Sequence, residues 1–180
     1  QKYPKSRGLF VRRELAEVVK QGAAWDRMQE FCGSSCKYNQ TDHVVYFPNG
    51  SVEEFGHCQN ENDKMKYQGA QYDDIGFDQL EQFTESQATF ISAACRVPES
   101  RNVTDSAGNK IQARIRSTGN PGDTGHAWVK RTYVDPSTPG TPFTVEAVIT
   151  PPDGPPITVT RSRVFIPSLI FDNPHASSSY

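Results

Sequence analysis

Gly8-Leu9-Phe10-Val11 is a short apolar run that reads as a buried strand, and a helical stripe follows it directly. Leu15, Val18, Val19, Gly22, Trp25 and Met28 recur at intervals of three and four, which places them on one face of a helix. Gly33-Ser34-Ser35 breaks that helix near Phe31. A buried strand feeding a helix constrains the fold strongly. Sheets built from such units run their strands in parallel and carry helices on their faces.

The rest of the chain extends the same alternation. Val44-Val45-Tyr46-Phe47 and Ser51-Val52-Glu53-Glu54-Phe55 flank Pro48-Asn49-Gly50, a short-range hairpin signal. Glu61 to Lys66 is polar and reads as a loop or short helix. Tyr72-Asp73-Asp74-Ile75-Gly76-Phe77-Asp78 reads as a strand that ends in an acid. Thr84-Glu85-Ser86-Gln87 matches a capping box, with Phe83 placed for a hydrophobic staple. Phe90, Ile91 and Ala94 continue the buried face of that helix, and Pro98 ends it. Ile111 to Arg116 alternates apolar and polar residues and runs into the sharp loop Ser117-Thr118-Gly119-Asn120-Pro121-Gly122. Asp135 to Pro156 is rich in Pro, Gly and Thr, which predicts a long loop or peripheral hairpin with Phe143 to Val148 as one arm. Arg163 to Pro167 reads as one further strand, and 175–180 as a frayed tail. The fold class predicted is α/β, with a mainly parallel sheet flanked by helices and a β-hairpin insertion. Ligands of such sheets bind at the carboxyl ends of the strands. Asp78-Gln79 and Thr118-Gly119-Asn120 both fall there.

Composition narrows the function. The 180 residues carry 19 Lys+Arg against 21 Asp+Glu, a net charge of −2, which excludes a whole-chain basic field for nucleic acid. No run approaches the roughly 18 apolar residues of a membrane span. Four cysteines, Cys32, Cys36, Cys58 and Cys95, are too sparse for a disulfide scaffold. Cys32 and Cys36 with His57-Cys58 have allowed zinc spacing, but no second paired motif follows. They read first as reduced, partly buried thiols.

An acid that closes a hydrophobic strand is how P-loop ATPases hold Mg²⁺, directly or through water. The polar amide of Asn120, at the end of a neighbouring strand, can orient a water or sense a phosphate. Asn-Pro-Gly is also ordinary turn chemistry.

From Gly8 to Pro174 the chain resembles the ATPase domain of the bacteriophage terminase large subunit, the motor that packages DNA into procapsids. The stretches that carry the resemblance stand in the family's order. They are Gly8 to Arg13, Tyr46-Phe47-Pro48-Asn49-Gly50-Ser51, Tyr67 to Tyr72 with Ile75-Gly76-Phe77-Asp78, and Leu80 to Glu85. Thr118 to Gly122 with Gly125 to Lys130, and Val164 to Pro167 with Asp172-Asn173-Pro174, complete them.

The resemblance implies a RecA-like P-loop ATPase core over 1–174. It implies ATP and Mg²⁺ as cofactors, with Asp78 as the Walker B acid on Mg²⁺. Asn120, with Thr118 and Gly119, is implied to be the coupling segment that senses nucleotide state. Arg12, Arg13 and Arg96 are candidate phosphate or trans-acting arginines, each of which also reads as surface charge. The implied partners are double-stranded DNA, the portal protein, the small terminase subunit and further copies of the chain. The implied place is the portal vertex of the procapsid in the bacterial cytoplasm, with no membrane. Arg114, Arg116, Lys130 and Arg131 offer a local DNA patch or a solvated face.

Two departures separate the chain from the family pattern. The family has Glu directly after the Walker B Asp; here the position is Gln79, whose amide is no base. No GxxxxGK[ST] occurs in the sequence. In the family that loop precedes the strand read at Gly8, so it is expected before Gln1, and the nuclease domain is expected after Tyr180. Two alternatives stay open: a catalytically silent scaffold or docking remnant of the same domain, and a metal-dependent nuclease-like hydrolase built on Asp73, Asp74 and Asp78.

Overall fold

The computed structural model describes residues 3–98, 101, 103–149, 155–169 and 172. The chain divides into two compact units, 1–126 and 127–180.

The first unit is an α/β sheet of six strands in the order β2-β3-β4-β1-β5-β6. Its centre is β1 (Arg7–Arg12), which pairs in parallel with β4 (Val52–His57) on one side and β5 (Asp74–Phe77) on the other. β6 (Arg114–Ser117) extends the parallel set beside β5. β2 (Lys37–Asn39) and β3 (Val44–Tyr46) add an antiparallel flank at the β4 edge. The β3–β4 turn is the one the sequence predicts. Gly50 takes φ 80°, its N–H donates to the Phe47 carbonyl, and the Asn49 side chain accepts from Ser51 N.

One sheet face is covered by α1 (Leu15–Val19) and α2 (Ala24–Cys32), which bury Val18 and Trp25 against Val45 and Phe55. Trp25 packs edge-on to Phe55 at 5.4 Å, and its indole N–H donates to Gln40. The opposite face buries Leu9, Val11, Ile75 and Phe77. Phe77 meets Phe83 edge-on at 5.4 Å, and the Tyr67 hydroxyl lies over Gly56. Burying each of these large side chains contributes about 1.5–3 kcal/mol, which makes the sheet core the main source of order here. α3 (Glu85–Ser92) begins at the predicted capping box: Thr84 Oγ1 accepts from Gln87 N, and the Gln87 side chain accepts from Thr84 N.

The single helix expected from Leu15 to near Phe31 is two helices. Gly22 takes φ 76° between them, and Asp26 in the first turn of α2 accepts from Gly22 N. α4 (His126–Val129) leads into a π-helical turn, Lys130–Val134.

The second unit contains a two-stranded antiparallel sheet of β7 (Phe143–Ile149) and β8 (Ile157–Arg163). β7 matches the expected arm. Its partner precedes the strand predicted at Arg163 to Pro167, because Ile157 to Arg163 pairs residue for residue with β7 while Val164 to Pro167 carries no strand. The tail expected at 175–180 lies outside the described residues. No helix among the described residues is long and apolar enough to cross a membrane.

Candidate functional site

The parallel strands β1, β5 and β6 lie side by side, so their carboxyl ends place Arg12, Asp78 and Thr118 next to one another. The Thr118 hydroxyl donates to Asp78 Oδ1 at 2.6 Å. The other carboxylate oxygen, Oδ2, faces Arg12 Nε at 3.4 Å. Arg12 is the hub of the cluster. Its Nε also lies 3.2 Å from Glu17 Oε2, its Nη1 donates to the Glu17 carbonyl, and its Nη2 donates to Gln79 Oε1 at 2.8 Å. Asp78 keeps about a third of its side chain exposed, so the cluster opens to solvent at the strand ends.

The backbone turns sharply after Asp78. Gln79 takes φ 58° and ψ 61°, left-handed values that a non-glycine residue rarely adopts, and its N–H donates to Thr118 Oγ1. A 3-10 turn, Leu80–Gln82, follows at once. On an extended strand Glu81 is expected to face away from Asp78. The turn instead buries Glu81 to 5% exposure, with its Oε2 beside Gly119 and without a hydrogen-bond partner. A left-handed residue and an unsatisfied buried polar atom each cost about 1–3 kcal/mol, and such costs gather at functional sites. The sequence leaves a turn at this point open without placing it. The signal is the positive φ at Gln79, which only coordinates reveal.

The other sequence candidates separate. Gly119 and Asn120 are exposed in the loop that leaves β6. Arg13 Nη1 donates to the Gln82 carbonyl and tethers the turn. Arg96 is not at this end of the sheet. Its N–H pairs with the Tyr72 carbonyl before β5 begins, six residues upstream of Asp78. At about 3.3 Å per strand residue, that separation exceeds an arginine's reach.

The three acids proposed for a nuclease-like site also diverge. Asp73 is buried and bound by Arg101 at 2.7 and 2.9 Å and by Arg7 N. Asp74 pairs with Arg116 in the partly exposed row across β5 and β6. Among the described residues no group of three or more His, Cys, Asp or Glu stands ready to hold a metal, and none of the four cysteines is joined in a disulfide. Mg²⁺, however, needs only one or two carboxylates beside phosphate oxygens and waters. Asp78 with the Thr118 hydroxyl fits that demand, provided Arg12 releases Oδ2.

The strongest electrostatic perturbations lie elsewhere. Burial, with Asp74 nearby, pushes the Glu53 carboxyl up to about 7, and Arg116 offsets part of this. Glu53, Gly8 and Asp74 are in register across β4, β1 and β5, and the missing side chain of Gly8 is what admits the Glu53 carboxyl. Burial lowers His57, with Lys66 adding to the effect, and raises the Cys58 thiol to about 11. Two surface depressions, one lined by Arg7, Val52 and Tyr72 and the other by Lys5, Val52 and Arg101, open at the amino ends of the strands. They are at the opposite end of the strands from Asp78 and share no residue with its cluster.

No protein-family model, curated protein or solved structure matches the chain.

Proposed function

We propose that this chain is part of a RecA-like nucleotide-hydrolysing motor of the terminase large-subunit type. In that reading ATP hydrolysis drives double-stranded DNA into a phage procapsid at the portal vertex, alongside the portal protein, the small terminase subunit and further copies of the chain. The observation that carries the reading is the bond from Thr118 at the end of β6 to Asp78 at the end of β5. A strand-end acid fixed by a hydroxyl from the next parallel strand is a compact way to hold a phosphate-bound cation. Asp78 and Thr118 would hold Mg²⁺, which when bound neutralises charge developing on the phosphates. Arg12 lies close enough to take up a phosphate oxygen once it leaves Asp78. Thr118, Gly119 and Asn120 form an exposed segment tied to that same acid, so a change at Asp78 is passed to the loop.

A silent scaffold is the second reading, and the Arg12 contacts favour it. In this arrangement the guanidinium occupies both Asp78 and Gln79. The test is hydrolysis of Mg-ATP by the full-length gene product, with and without double-stranded DNA. The motor reading predicts DNA-stimulated turnover that disappears in Asp78→Ala. Absence of nucleotide binding at millimolar Mg-ATP would leave the scaffold.

A further inference from the structure

We propose that Glu81, two residues beyond the position directly after Asp78, is the carboxylate that takes the proton from the attacking water. This rests on the nucleotide-hydrolysing reading above. Gln79 cannot do it: an amide is no base, and its oxygen is already bonded to Arg12. The left-handed turn at Gln79 is what brings the next acid inward. Glu81 is almost fully buried and its Oε2 accepts no hydrogen bond, so this oxygen is held out of bulk water with nothing to satisfy it.

Its surroundings tie it to the site. A Cβ at position 119 would lie 2.7 Å from Oε2, so glycine there is what lets the carboxylate approach the loop. The main chain fixes it on two sides. Leu80 N donates to the Thr118 carbonyl, and the Glu81 carbonyl accepts from Gly125 N. Gly119 directly follows Thr118, the residue whose hydroxyl holds Asp78. The acid proposed for the cation and the acid proposed for the proton thus flank one short segment.

In the step itself, the water oxygen forms a bond to the terminal phosphorus. The bond from phosphorus to the bridging oxygen breaks, and that oxygen keeps the electron pair. The proton of the water passes to Glu81 Oε2.

The experiment compares the full-length gene product with Glu81→Gln, Glu81→Asp, Gln79→Glu and Asp78→Ala. It measures Mg-ATP binding by calorimetry, single-turnover hydrolysis, and thermal melting. Glu81→Gln is expected to bind Mg-ATP within about threefold of the parent and to hydrolyse it roughly 10²–10⁴-fold more slowly, the usual effect of losing a positioned base. If Glu81→Gln does not melt cooperatively, Glu81→Asp decides: it should fold, bind, and hydrolyse more slowly. Turnover of the melting-competent Glu81 variant within threefold of the parent, with Asp78→Ala inactive, overturns the assignment and leaves the motor reading intact. A tenfold rise in Gln79→Glu with no loss in the Glu81 variant also overturns it, and returns the base to position 79. A full-length product that binds no Mg-ATP overturns both.

Discussion

At the scale of single residues, charges far apart in the sequence meet within the first unit. Asp73 and Arg101 are a case the sequence hides. The two residues are 28 apart, the acid is buried, and only the folded chain brings the guanidinium to it. Glu53 is the opposite kind of charge, a partly buried carboxyl without a full counter-ion. Its pKa of about 7 lies above the ordinary glutamate value of 4.5, so the fold favours the protonated form. The stability this contributes is fully present below pH 4.5 and is lost as pH rises through 7. The gap corresponds to on the order of 3 kcal/mol at most. Glu53→Gln keeps the shape and removes the titration. Urea midpoints should therefore show the variant gaining on the parent between pH 5 and pH 8. His57, lowered by burial, has the opposite slope below its ordinary value of 6.5, but it is common to both proteins and cancels. Parallel pH curves for the two proteins would mean that Glu53 does not ionise in this window.

At the scale of elements, what was legible was local. Pro48-Asn49-Gly50 fixes its turn through its own residues, and Thr84 and Gln87 cap α3 as the spacing predicts. Thr84 does more than the pattern foretells, because its hydroxyl also donates to Glu61, the first residue of a 3-10 helix over Glu61–Tyr67. Thr84→Ala should lower stability by about 1 kcal/mol, in the usual range for a lost N-cap, measured by chemical denaturation. A change below 0.3 kcal/mol would mean that neither bond contributes. The less legible elements have physical reasons. The break between α1 and α2 rests on one left-handed glycine that fits the apolar spacing by position alone. β8 alternates Ile157 and Val159 with threonines, but it stands among prolines that draw attention to a loop. Glu81 depends on a backbone reversal at Gln79, where no glycine or asparagine marks it.

At the scale of the whole molecule, the order of strands among the described residues leaves an open edge beside the Asp78 cluster, at β6. A phosphate-cradling loop that shares its phosphate with Asp78 must end near Asp78 and Thr118. Both sides of β5 are taken, by β1 and β6, and β1 is enclosed by β4 and β5. Among the described residues nothing pairs with the outer edge of β6, and Arg114, Arg116 and Ser117 are exposed along it. An unpaired parallel edge is a template for another strand. The motor reading places there a parallel strand whose carboxyl end carries the loop missing from this sequence. The direct test is the nucleotide sequence of the gene upstream of the Gln1 codon. The reading predicts an open frame that encodes GxxxxGK[ST] within roughly 50 residues, after a strand and opening a helix. A start codon immediately before Gln1, with no such loop encoded, would contradict it.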